Sequence, residues 1–139
     1  MSFNFSNSKN YWKSTFDVLV EARSVYYKEE SDPSNGLWYF VYEIKITNRR
    51  KEEIQLLRRK WIIEDDKGFQ EEVKGEGVVG QQPVIPPDHQ FRYVSACPLW
   101  APRGAMYGHF EVKINSAESQ WVEIPRFELN RASHLKVVK

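Results

Sequence analysis

The stretch LWYFVYEIKITN, Leu37–Asn48, decides the fold: Trp38, Phe40, Tyr42, Ile44 and Ile46 fall on one side of an extended chain, interleaved with charges such as Glu43 and Lys45. A period of two sustained over five large apolar positions belongs to a β-strand with one buried face and is incompatible with the 3.6-residue period of a helix. Working upstream, the acidic, Pro- and Gly-containing KEESDPSNG (28–36) breaks the pattern. Before it, STFDVLVEARSVYY, Ser14 to Tyr27, alternates Phe16, Val18, Val20 and Ala22 against Asp17, Glu21 and Arg23, which predicts one first strand.

Downstream, a polar turn from Asn48 to Glu53 leads into IQLLRRKWIIED, and Asp66-Lys67-Gly68 predicts a tight hairpin into FQEEVKG, with glycine supplying a positive φ. QQPVIPPDHQ carries Pro83, Pro86 and Pro87; proline removes amide donors, so this segment is a connection or an edge. Alternation resumes in FRYVSAC, with Phe91, Tyr93, Ser95 and Cys97 sharing a face. It resumes again, after the loop PLWAPRG, in AMYGHFEVKIN, with Met106, Gly108, Phe110, Val112 and Ile114 on one side. QWVEIPRFEL closes the set. No apolar residues recur at helical spacing over a dozen positions. About seven short antiparallel strands predict an all-β fold, an immunoglobulin-like or fibronectin type III-like β-sandwich.

One domain follows from the 139 residues, and 41% hydrophobic residues with 14% aromatics supply a packed interior. The sandwich is expected over 14–129. Residues 1–13, rich in Asn and Ser, form a flexible N-terminal tail and 130–139, NRASHLKVVK, a basic C-terminal tail, each either frayed or docked on a neighbouring strand or subunit. Twenty basic against nineteen acidic side chains give a formal charge of +1, so no global field exists to hold nucleic acid or an anionic membrane. The single cysteine, Cys97, excludes an intramolecular disulfide framework. MSFNFSNSKNYWKS lacks the n- and h-regions of a secretion signal, and no apolar run approaches the roughly 20 residues of a transmembrane helix. A cytoplasmic protein, monomeric or weakly dimeric, is expected.

GEGVVG, Gly75 to Gly80, has the glycine spacing of a dinucleotide fingerprint. That fingerprint requires a buried strand before it, a helix after it and a carboxylate about 20 residues on. Here FQEEVKG is charged, QQPVIPP cannot be helical, and Pro98, Leu99 and Trp100 stand where the carboxylate belongs. Gln81 and Gln82 replace the lysine and hydroxyl residue of a P-loop. Two readings of the glycines remain: a backbone bend, or an anion-binding nest of amides at Gly75, Glu76, Gly77 and Gly80 assisted by Lys74, Arg58 or Arg59. The nest reading predicts that Gly77→Val weakens phosphate binding without loss of fold.

Arg58-Arg59-Lys60-Trp61 pairs cations with an aromatic ring, as single-stranded nucleic acid sites do, but strand alternation sends Arg58 and Lys60 to one face and Arg59 and Trp61 to the other. His89, His109 and His134 have no ligand spacing, Asp65-Asp66 sits in a turn, and Cys97 lies on an apolar face as an inert core thiol. Nothing resembles a nucleophile elbow, so no catalytic residue, metal ligand or cofactor site is assigned and a non-enzyme is expected.

The blocks KWIIEDDKGFQEEVKG, GEGVVGQQP, FRYVSACPL, PRGAMYGHF and VEIPRFEL together resemble the ApaG family, over about Ser14 to Leu129. Departures are local, at His89, Trp100 and Arg103. The resemblance implies a fibronectin type III-like sandwich and, for function, links to cobalt resistance and magnesium efflux, neighbourhood with a diadenosine tetraphosphate hydrolase, and service as a protein-interaction module. The leading expectation is a non-enzymatic module that binds another protein, with a link to divalent cation homeostasis. The alternative is phosphate, pyrophosphate or dinucleotide polyphosphate binding at Gly75 to Gly80.

Overall fold

Leu37–Asn48 sits at the centre of the first of two packed sheets. The computed structural model describes residues 3–131 and, among them, holds nine strands: β1 Tyr11–Thr15, β2 Val18–Tyr26, β3 Trp38–Asn48, β4 Ile54–Asp65, β5 Gln70–Glu76, β6 Val84–Ile85, β7 Gln90–Leu99, β8 Arg103–Lys113 and β9 Ser119–Asn130. One sheet runs β1-β2-β3-β7; the other runs β5-β4-β8-β9, with β6 pairing the start of β4. Every pairing is antiparallel. The protein is an all-β sandwich, and the inward faces read from the alternation are the buried ones: Val18, Val20, Ala22, Phe40, Tyr42, Ile44 and Ile46 meet Trp61, Phe110, Val112, Val122 and Phe127. Trp61 anchors this core, its ring centroid 5.6 Å from Tyr42, 6.1 Å from Phe110 and 6.0 Å from Phe127.

The strand count exceeds the expected seven for a physical reason at Phe16 and Asp17. The segment Ser14 to Tyr27 is two strands, because Thr15 pairs with Val18 across a two-residue hairpin whose central residues have φ of 52° and 60°. Both positive angles are those of a type I′ turn, which usually advertises itself with Asn-Gly or Asp-Gly. Phe-Asp carries no such signal, and Phe16 is 51% exposed rather than part of the buried face. Backbone and side-chain bonds hold the turn instead, from the Arg49 amide to the Asp17 carbonyl (2.9 Å) and from Arg50 Nη1 to the Phe16 carbonyl (3.1 Å). The other addition is β6, the edge allowed for among the prolines.

Residues 3–13 meet the sandwich at Phe5 and in β1. Phe5 is 4% exposed and packs with Val25 and Val41 on the outer side of the first sheet, with Phe3, Tyr27 and Tyr39 around them. Tyr11, Trp12 and Lys13 belong to β1. That strand leans across to the second sheet: the Glu123 amide donates to Thr15 Oγ1 (3.1 Å), Tyr11 Oη to Glu128 Oε2 (3.5 Å), and Lys13 lies 3.9 Å from Glu123. Of the basic tail expected over 130–139, Asn130 ends β9; residues 132–139 lie outside the described residues.

The flanks of the sandwich therefore differ. On one side β1 and β2 lie against β9; on the other, β7 and β5 are edge strands of opposite sheets and contact mainly β3 and β4 respectively. The second flank is open.

Candidate functional site

The glycine motif lies at the open flank, and it is a hairpin. Gly75 and Glu76 finish β5, and the Gly77 amide donates to the Leu57 carbonyl (2.8 Å), extending the ladder one step beyond Glu76 opposite Arg58. Val78 and Gln81 then exchange both backbone bonds, 2.8 and 2.9 Å, across a two-residue turn in which Val79 and Gly80 have φ of 43° and 79°. Gly77, at φ 65°, is required twice over: a Cβ there would also collide with the Gln81 carbonyl.

Arg59 clamps this hairpin from the inner side. Its guanidinium lies flat against Gly75, 2.7–2.9 Å from where a Cβ would sit, and Nη1 donates to the carbonyls of Glu76 (2.9 Å) and Gly77 (2.8 Å). The amides of Gly77, Val78 and Gln81 are engaged by backbone oxygens, and Arg59 is engaged by carbonyls. Chemically the arrangement closes a tight bend over the core, where Val78 is buried. The structure thus brings Gly75, Glu76, Gly77, Gly80 and Arg59 together. Lys74 is on the outer face, 3.2 Å from Glu72. The expectation that Gly77→Val leaves the fold intact does not survive the Gln81 contact.

On that outer face Arg58, Lys60, Lys74, His109 and Trp121 border a shallow groove of about 800 Å³. Arg59 borders the same groove, its guanidinium turned against Gly75, while Trp61 is buried on the opposite face. The cations are balanced: Arg58 Nε donates to Glu111 Oε1 at 2.6 Å, and Lys60 lies 3.7 Å from Glu72, which Lys74 shares. Hydrogen bonds from Arg58 and Ser119 hold the Glu111 carboxyl below its usual range.

Between the edges of β5 and β7 a second groove, of about 510 Å³, opens directly onto the core. Tyr42, Trp61, Tyr93 and Cys97 line it, with Val79 and Trp100 beside its mouth; the last two are 52% and 62% exposed. Tyr93 is buried, and its hydroxyl has no hydrogen-bond partner among the described residues, an arrangement that costs free energy unless something meets it. Burial pushes the Tyr93 phenol well up. Burial, helped by the nearby Glu71 carboxylate, pushes the Cys97 thiol up to about 12, which favours the protonated form. Alternation identified Tyr93 and Cys97 as core-facing and left them there; no sequence signal told that β7 is an edge, which is what makes them groove residues. The exposure of Val79 and Trp100 has a local source, their place in turns.

His89 Nδ1 sits 2.9 Å from the Pro87 carbonyl, His109 is on the outer face, and His134 lies outside the described residues. Among the described residues no three His, Cys, Asp or Glu side chains converge on a common point suited to a metal ion, and no helix is long and apolar enough to cross a membrane.

A two-sheet antiparallel sandwich whose glycine motif closes a hairpin defines the class: a β-sandwich domain, distinct from the α/β dinucleotide-binding folds that share the motif's spacing. The ApaG domain matches residues 28–114, and the chain belongs to the ApaG family. It is similar to Protein ApaG of Azorhizobium caulinodans, 40% identical over 120 residues that cover 86% of this chain and 92% of that one. Protein ApaG of Bdellovibrio bacteriovorus is 45% identical over 113 residues, covering 81% and 89%. Among solved structures, a Bordetella pertussis protein described under the name ApaA is 38% identical with a TM-score of 0.80, covering 84% of this chain and 95% of that one.

Proposed function

We propose that this ApaG-family protein is a non-enzymatic, cytoplasmic interaction module whose open flank engages another protein. One observation carries this reading. The groove between β5 and β7 leads down to the buried aromatic and aliphatic core of the domain, and Val79 and Trp100 stand exposed at its mouth, the composition of an interface anchor rather than of a reaction centre. Phosphate binding at Gly75 to Gly80 is less well supported, because the amides of Gly77, Val78 and Gln81 and the Arg59 guanidinium are already committed to backbone carbonyls. Any influence on cobalt or magnesium would then be exerted through the partner.

Photo-crosslinking in cells tests it. A benzophenone side chain at Trp100 is expected to give discrete adducts with one or a few proteins, whereas the same group at Trp12, exposed on the opposite flank, gives none of them. Identical adduct patterns from both positions, or none from Trp100, would sink the proposal.

A further inference from the structure

The open flank has a backbone component. The Tyr27 amide donates to the Tyr39 carbonyl (2.8 Å) and the Arg49 amide to the Asp17 carbonyl (2.9 Å), so odd-numbered residues of β3 bond to the β2 side. Bonding alternates along an antiparallel strand. Even-numbered residues of β3 consequently bond to odd-numbered residues of β7, as the pairs Tyr42 with Ser95 and Ile44 with Tyr93 require. The amides and carbonyls of Arg92, Val94 and Ala96, and the carbonyl of Pro98, are left pointing along the open edge. The same reasoning applies to β5, where the Gly77–Leu57 and Asp65–Phe69 bonds leave Gln70, Glu72, Lys74 and Glu76 facing outward.

The two edges are not equivalent. β5 is guarded by charge at Glu71, Glu72, Lys74 and Glu76, the usual protection of an exposed strand. β7 presents Val94 and Ala96, both exposed, and the cation of Arg92 is turned toward Glu43 at 3.7 Å. An extended segment hydrogen-bonded to β7 would direct every second side chain over Tyr93, Tyr42 and Trp61, and could bring an acceptor to the unpartnered Tyr93 hydroxyl. The charges around the groove select its composition. Glu71 and Glu76 line it and neither makes an ion pair within 4.0 Å among the described residues, while Arg59 is held by carbonyls. A second copy of this chain, pairing through its own β7, would bring no uncommitted cation to those carboxylates.

We infer that β7 is a strand-addition site: a partner's extended segment pairs with Arg92–Pro98 and turns every second side chain into the groove, apolar ones over Tyr93 and Trp61 and, on that same face, one lysine or arginine that meets Glu71. This rests on the interaction reading and specifies its partner chemistry.

The test is an NMR titration of the ¹⁵N-labelled full chain with two hexapeptides that carry the charge on the same face as the valines, acetyl-KTVTVT-amide and acetyl-ETVTVT-amide, up to about millimolar concentration, where weak strand pairing is measurable. Expected is binding of the lysine peptide, with shifts along β7 and slowed exchange of the Arg92, Val94 and Ala96 amides, and at least about tenfold weaker binding of the glutamate peptide. Val94→Pro removes one free-edge donor and no β3–β7 bond, and is expected to weaken binding about tenfold. Tyr93→Phe is expected to weaken it with no fall in Tm, and Glu71→Gln to narrow the preference between peptides. Shifts confined to another surface, unchanged affinity in both Val94→Pro and Tyr93→Phe, or no response to the lysine peptide would overturn the strand-addition site. So would protection of the same three amides by self-association before peptide is added. Crosslinks from Trp100 that persist after such a failure would leave the interaction reading standing and remove only this mode.

Discussion

Replacing Gly77 by alanine should destabilise the domain far more than replacing Gly80, although both glycines have positive φ in the same hairpin. The shared term is the cost of holding an L side chain in the left-handed region, about 1–2 kcal/mol. Gly80 bears nothing more, since a Cβ there meets no atom within 4 Å. At Gly77 the Cβ strikes the Gln81 carbonyl, whose oxygen accepts the Val78 amide bond that closes the turn. Moving that backbone adds about 1–3 kcal/mol, by analogy with overpacked interiors. The Gly77 variant should therefore lose about 2–5 kcal/mol of the roughly 5–15 kcal/mol that a domain has. At about 4 °C per kcal/mol for this size, Tm should fall by about 8–20 °C, against about 4–8 °C for Gly80→Ala. The entropy that alanine removes from the unfolded chain is common to both variants and cancels in the comparison. Thermal unfolding by circular dichroism, with urea titration for the free energies, measures the difference. Equal losses in the two variants would refute the close-approach argument and leave only the shared cost of the positive φ.

Trp61→Ala should cost about 3–5 kcal/mol, because it empties the centre of the Tyr42–Phe110–Phe127 cluster; urea unfolding reads this directly. The Glu111 carboxyl is held below its ordinary range by Arg58, so its contribution is present above the unfolded-state value of about 4.3 and disappears as pH falls through the lowered folded value. Arg58→Gln should thus separate from the parent protein most at neutral pH and converge with it in acid, in unfolding curves measured across pH 7 to 2. Cys97 should resist a thiol reagent at pH 8 in the folded protein and react fully in denaturant, since burial holds its thiol at about 12; rapid labelling of the native state would contradict its placement.

Period-two alternation in Leu37–Asn48, Arg58–Trp61 and Phe91–Cys97 was enough to expect the sandwich and its inward faces, because burial on one face of a strand is written locally. Turns without a glycine signal are not legible: Phe16-Asp17 adopts two positive φ angles that neither residue type announces, so alternation alone presents this hairpin as one strand. The glycine motif was legible in the negative, since a charged strand before it and prolines after it exclude a helix. Its partner was not, because the Arg59 guanidinium meets Gly75 only after β4 and β5 pair in register. The open groove was beyond reach for the same reason. Tyr93 and Cys97 look like any core residues until strand order sets β7 at an edge, and order depends on contacts far apart in the chain.

The crossing of β1 onto β9 has a consequence for how the domain can be built into larger assemblies. Tyr11 and Glu128 touch, so the point where the chain enters the sandwich and the point where it leaves lie side by side on the closed flank. A boundary drawn at Tyr11 would be misplaced for such use: Phe5 lies on Val25 and Val41 across the outer side of the first sheet, so a fused or shortened domain keeps its packing only if the chain from Phe3 onward is kept.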